Sequence, residues 1–306
     1  MKKLFCLLTL LIGGVCYAQK NTIALRLVVG NTYYLSTTAK LEINQNINGQ
    51  EQDITTTITA KMAHKILSVK DSIYVMEITY QRMAMQMAIA GQNLDFNTDK
   101  KDTTDLMSSI MASLINKPFT VDITKTGKIK AIHNIENIYS GMFDKFPKIT
   151  DAQKAQFKTQ MEQSFGEKTF KGNLEEAFAV FPASPVTKND KWVVDTKLES
   201  VLTVDIKTTF TLADITSDTY VLHGDAVIQP GANDDYKEVN GMPMKFTGVT
   251  GTTTTDVKLD KTSGWVTESK AIKKIEATVD IKDNTKVPGG LTFPMTITAD
   301  IAVSGK

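Results

Sequence analysis

The sequence predicts an α+β fold: a mainly antiparallel, strongly curved β-sheet, half-barrel-like, in two similar β-rich halves with amphipathic helices between them. Three observations point there. Most of the chain alternates apolar and polar residues with period two. The stretch from about 103 to 181 changes to three-and-four spacing. Turn motifs in the first half reappear in the same order in the second.

Residues 1–18 read as a secretory signal peptide. Lys2 and Lys3 precede an apolar core from Leu4 to Val15, and Cys16-Tyr17-Ala18 places cleavage after Ala18. The core is too short for a membrane span, which takes about 20 residues. Cys16 follows Val15 rather than the small residue expected before a lipid-anchored cysteine. Cleavage removes both cysteines, so no disulfide framework holds the mature protein. The expected destination is the periplasm or the extracellular space. No later stretch is apolar enough to span a membrane.

The first β-rich half covers 19–132. Thr32 to Leu41, Ile54 to Met62, Ile66 to Val69 and Ile73 to Tyr80 have strand patterns rich in Thr, Ile and Tyr. Asn48-Gly49 and Lys125-Thr126-Gly127 are hairpin turns, the second between Phe119–Thr124 and Lys128–Ile132. Leu106, Met107, Ile110, Met111 and Leu114 make one helical stripe after Asp102-Thr103-Thr104. The helical segment covers 133–185. Ile135, Tyr139, Met142 and Phe146 make a second stripe, and Phe157, Met161 and Phe165 a third behind the capping box Thr150–Gln153. Phe170, Leu174, Ala177, Phe178 and Phe181 make a fourth, stopped by Pro182. The second β-rich half covers 186–306, with strands from Trp192, Val201, Tyr220, Lys245, Trp265 and Phe293, and long loops at 229–241 and 283–290.

The halves match at three places. Val69–Met76 lies over Ile215–Leu222, Gly30–Tyr33 over Asn189–Trp192, and Val121–Gly127 over Val257–Gly264. A shared order is harder to reach by chance than a shared turn composition, so the pattern reads as an internal duplication.

Composition excludes several functions. With 35 basic and 34 acidic residues, the chain has no electrostatic footprint for nucleic acid. His64, His133 and His223 lie far apart, without the spacing of a zinc site, and read as structural. There is no nucleophile elbow and no phosphate loop. Glu175-Glu176 and Asp234-Asp235 lack the geometry or ligand pattern of a catalytic pair or a calcium loop. The sequence implies no cofactor and no metal, and the expectation is a protein that is not an enzyme.

Methionine is the unusual feature. Met83, Met85, Met87 and Ile89 alternate on one strand face, and Met107 and Met111 form a helical pair. Thioethers bind Cu(I), but no His or Cys supports that here. They also line adaptable apolar pockets, or simply pack helix on sheet.

The order of segments is familiar. A Met-alternating stretch from Gln81 to Ala90, a Met/Leu helix, Lys117-Pro118-Phe119-Thr120-Val121 through Gly127-Lys128, and Asp190-Lys191-Trp192 follow a signal peptide. The chain resembles an uncharacterised, domain-of-unknown-function family of exported proteins of Bacteroidetes-type bacteria. That resemblance implies export and assigns no catalytic residue. The reading is an exported, non-enzymatic cell-envelope protein that binds a hydrophobic or lipid-like ligand, with Met83, Met85, Met87, Met107 and Met111 as the binding residues. The alternative is a structural or protein-interaction module of the periplasm or outer membrane, with an envelope protein as partner and no pocket. An enzyme whose carboxylates meet only in the fold is the third.

Overall fold

A computed structural model describes residues 20–100, 106–144, 149–232, 235–239 and 241–306. The expected signal peptide, the Asp102–Thr104 cap, Phe146, Asp234 and Asn240 lie outside those residues. The first half contributes β1 (Thr32–Ile47), β2 (Gln50–Lys70), β3 (Ile73–Ile89), β4 (Gln92–Asn97), β5 (Phe119–Thr124) and β6 (Ile129–His133). The second contributes β7 (Lys191–Glu199), β8 (Thr203–Ile215), β9 (Thr219–Pro230), β10 (Lys237–Val239), β11 (Met242–Asp260), β12 (Val266–Ile281) and β13 (Leu291–Gly305). Helix α1 is Leu106–Ser113, α2 is Asp151–Phe165 and α3 is Glu167–Phe178.

All 13 strands of the described residues belong to one sheet, in the order β6-β5-β3-β2-β1-β13-β12-β11-β9-β8-β7, with β4 beside β3 and β10 beside β11. The first half is a meander of five strands and the second a meander of six, each with an excursion between its third and fourth. The halves join where β1 pairs with β13, from Leu35 opposite Gly305 to Gln45 opposite Met295. They therefore form one continuous sheet.

The sheet curves without closing, and α3 lies between its outermost strands. Glu175 Oε1 accepts the Ile129 N–H of β6 at 3.0 Å. Thr169 Oγ1 donates to the Glu199 carbonyl of β7 at 3.0 Å. Lys128, just before β6, donates to the Asp195 carbonyl of β7. These contacts occupy strand-edge groups that would otherwise face another chain.

The protein is mostly β, so the expected α+β label overstates its helices. The stripe from Ile135 to Phe146 yields only a 3-10 turn, Ile135–Tyr139. Asn134 before it and Gly141 after it both take positive φ, at 58° and 66°, which no continuing α-helix permits. The capping box at α2 forms as expected: Gln153 N donates to Thr150 Oγ1 at 3.3 Å, and Thr150 N to Gln153 Oε1 at 3.0 Å. The separate strands expected at 54–62 and 66–69 are one strand, β2, with irregular register against β3 between Ile66 and Ser68. The loop expected at 229–241 holds the end of β9 and β10. Strand β4 was not expected, because Gln92–Asn97 is mostly polar and forms only an edge pair with β3.

An N-terminal segment with no strand of its own plugs one end. Ile23, Leu25 and Leu27 are buried in the larger of two apolar clusters, with Phe119, Phe178, Leu212 and Trp265. Leu25 N donates to the Lys125 carbonyl at 2.9 Å, and Arg26 N to the Ser263 carbonyl at 2.7 Å. Those carbonyls belong to two turns that match between the halves, so both turns grip the same segment. The smaller cluster, around Ile206, Ile228, Ile275, Val279 and Phe293, fills the inner face of the second half.

Gly127 takes φ +80°, and a Cβ there would lie 1.8 Å from the Phe178 carbonyl oxygen. Gly127→Ala combines a left-handed backbone with a backbone clash, and is expected to cost about 2–4 kcal/mol. Urea unfolding checks this.

Candidate functional site: the concave face of the sheet

The inner face changes parity within β3. Tyr74, Met76, Ile78 and Tyr80 point inward; then a bulge between the Met62–Tyr80 and Lys61–Arg82 pairs shifts the inward set to odd positions. One extra residue moves every later side chain to the opposite parity. Met83, Met85 and Met87 thereby continue the inner face.

Met83 is buried, 5% exposed, within the larger cluster, and Met111 of α1 packs against that cluster. Met85 and Met87 are half-buried beyond it. Met85 stands opposite Ile58 and Met87 opposite Thr56. The Met107 side chain lies outside the described residues. The structure thus puts three of the five methionines on one face, with Met111 against the same core as the first.

Around Met85 and Met87 the register builds an apolar strip. Ile89, Ile54, Ile43 and Ile297 form one cross-strand row, and Met85, Ile58, Ala39 and Ile301 another. All eight are half-buried. Ile297 leads on to Ile275, which is buried, and Ile228 and Ile206 on the same row are buried too. Among the described residues, the inner face is therefore covered in the second half and left half-open in the first. Sequence reasoning found the methionines by their alternation. It found Ile89 in the same alternation but missed Ile54, Ile58, Ile43, Ile297 and Ile301, whose grouping depends on register between strands.

Between the two apolar clusters runs a row with polar members. It reads Met87, Thr56, Leu41, Ala299, Lys273, Thr253, Ala226, Thr208, Val194 from β3 to β7. Thr56, Lys273, Thr253 and Thr208 are all buried. The Lys273 ammonium meets Glu176 of α3. A buried lysine needs such a partner.

A separate groove of about 690 Å³ lies between α3 and the outer side of β7 and β8. Lys168, Lys171, Glu175, Lys197, Glu199 and Lys207 line it, so it carries charge of both signs, and no described methionine is among its lining residues. The Lys197 ammonium bonded to Glu199 holds that carboxyl below its usual range.

The histidines play separate parts. His133 ends β6, rather than opening a helix, and meets Asp122 at 3.2 Å. His223 bonds Asp256 at 2.8 Å, which raises its pKa. His64 is fully buried, edge-on to Phe178 at 5.8 Å and Trp265 at 5.2 Å, and among the described residues neither ring nitrogen has a hydrogen-bond partner. Burial pushes its pKa down to about 4; the Tyr33 backbone pulls weakly the other way from outside hydrogen-bonding geometry. Among the described residues, no three His, Cys, Asp or Glu side chains are grouped to hold a metal ion.

The His64 shift makes stability depend on pH. Below about pH 6.5 the unfolded chain takes up a proton that the folded chain refuses, so stability falls with pH and levels off below about 4. Between pH 7 and pH 5 the expected loss is about 2 kcal/mol. His64→Leu should flatten this window in denaturant titrations; an unchanged slope would assign it to other groups.

A family model described as a family of unknown function (DUF6263) matches residues 71–266, and the chain belongs to that family. No curated protein matches it by sequence. Among solved structures it is similar to lipovitellin, from work on lipid–protein interactions, at 10% identity and TM-score 0.48, over 91% of this chain and 25% of that one. The chain thus spans a quarter of lipovitellin's length. It is also similar to an outer membrane channel from Pseudomonas putida F1, at 8% identity and TM-score 0.26, over 91% of this chain and 97% of that one. A third is OccK2 (OpdF) of Pseudomonas aeruginosa, in complex with glucuronate, at 6% identity and TM-score 0.22, covering 90% and 99%.

Proposed function

We propose that this member of the DUF6263 family is an exported, non-enzymatic protein of the cell envelope that holds an apolar or amphiphilic small molecule on the concave face of its sheet. The half-open strip around Met85 and Met87 carries this reading. Apolar side chains gathered on one face and left half-exposed favour an occupant that removes them from water. Each buried Å² of such surface is worth roughly 25 cal/mol. Methionine and isoleucine together suit a flexible chain better than a rigid planar ring, because thioether side chains adapt their shape.

On this reading the two meanders derive from one duplicated unit. Their strand orders correspond over five strands, with β13 added in the second, and their matched turns meet the same N-terminal segment. The second copy fills its inner face with its own side chains, and the first leaves its face for a ligand.

A second reading, a module that docks a partner protein, has one observation in its favour. Val28 and Val29 are 55% and 49% exposed, beside the end of β2 where Leu67 and Val69 are also exposed. If Val28→Ser with Val29→Ser abolishes co-purification of an envelope protein and leaves small-molecule retention unchanged, that reading gains.

Native mass spectrometry of protein from envelope extracts of its own host tests the main proposal. Wild-type protein is expected to carry a solvent-extractable added mass, and Met85→Asp or Met87→Asp to lose at least nine-tenths of it with the circular dichroism unchanged. Equal retention in the variants would remove the ligand from this face. The same spectra test export: the chain should begin at Gln19, and an intact Met1 would refute cleavage.

A further inference from the structure

The polar row across the concave face has a chemistry that apolar retention does not explain. Lys273 and Thr253 stand directly opposite each other on β12 and β11, each 8% exposed. Thr253 Oγ1 has no hydrogen-bond partner among the described residues. A buried hydroxyl without a partner is rare in folded proteins. Lys273 has a partner, but a replaceable one: Glu176 sits on α3 rather than in the sheet, and its side chain is 31% exposed. The site therefore holds a buried cation, a donor hydroxyl without a partner, and a carboxylate at the solvent boundary. Ala299 and Leu41 continue the same row toward Thr56 and Met87.

We propose that Lys273 and Thr253 form a headgroup site for an anionic amphiphile: a carboxylate or phosphate on an alkyl chain. The inference rests on the concave-face reading and adds the class of ligand. The anionic head takes the place of Glu176 at the Lys273 ammonium and accepts a hydrogen bond from Thr253 Oγ1. The chain then runs along Leu41, Ile58, Met85 and Met87. Glu176 acts as an internal stand-in for the head. It keeps the buried lysine paired when the site is empty of ligand, and it competes with ligand when ligand arrives. Desolvated charge pairs discriminate strongly by sign, because the alternative leaves a charge buried alone. Binding also unties α3 from β12, so occupancy and the seating of α3 are linked.

The test uses the full mature chain and three probes of one chain length: decanoate, decyl phosphate and 1-decanol, by isothermal titration calorimetry. The wild-type protein should bind at least one anion at least tenfold more tightly than decanol. Lys273→Met should bring the anions to the affinity of decanol, with decanol changed less than twofold. Glu176→Gln should tighten the anions at least threefold and leave decanol unaffected. A preference for decyl phosphate over decanoate assigns the head as phosphate, and the reverse assigns a carboxylate. Equal binding of anions and alcohol, or an anion preference that survives Lys273→Met, overturns the proposal. Should Lys273→Met fail to fold, Glu176→Gln decides, and no tightening overturns it. Decanol binding that is lost in Met85→Asp without any anion preference leaves the concave-face reading standing and removes only the headgroup site. Binding of no probe at all removes both.

Discussion

The open edges of the sheet govern the rest of the architecture. A sheet of 13 antiparallel strands that does not close has two lines of unpaired backbone groups. Here β6 and β7 are those lines, and α3 serves both. Glu175 accepts from β6, Thr169 donates to β7, and Lys128 links the two directly. Gly172 lets the helix approach closely, since a Cβ there would lie 2.7 Å from the Lys197 carbonyl oxygen. The buried side of the same helix carries Phe170, Leu174 and Phe178 into the core. One short helix thus satisfies polar edges with one side and fills the hollow with the other.

The hollow so made is filled unevenly, and that unevenness is where function resides. One end is packed by α3, by the N-terminal segment and by aromatic contacts such as Phe178 with Trp265 at 5.2 Å. The inner face of the second half is packed by its own isoleucines and by Phe293. Among the described residues, the inner face of the first half beyond Met83 has no comparable cover. A burial gradient along a single β-strand, from Met76 at 1% to the half-exposed Met87, records the change.

His64 and Lys273 show two solutions to one problem, a polar side chain inside an apolar hollow. Histidine can shed its charge, so His64 survives unpaired among aromatic rings as a neutral group. Lysine sheds its charge far less readily, so Lys273 requires an anion. The sheet supplies none on that row, and the helix does. The charge requirement thereby ties the helix to the centre of the concave face as well as to its rim.

Local pattern determined much of this protein. The alternation of strands such as Tyr220–Ile228, the Asn48-Gly49 hairpin and the Thr150–Gln153 cap depend on neighbours within a few residues, and each could be read along the chain; the fourth helix, expected to run to Pro182, ends at Phe178. The facing of Met83, Met85 and Met87 could be read too, because period two needs no partner strand. Tertiary structure alone decided the remainder. The joining of β1 to β13, the burial of Ile23 to Leu27 and the meeting of Lys273 with Glu176 all depend on contacts between residues distant in sequence. Such contacts are set by strand register and sheet curvature, which sum small twists over many strands and leave no mark at any one residue. The sequence by itself determined which faces are apolar; the curvature decided which of those faces is covered and which remains open to a ligand.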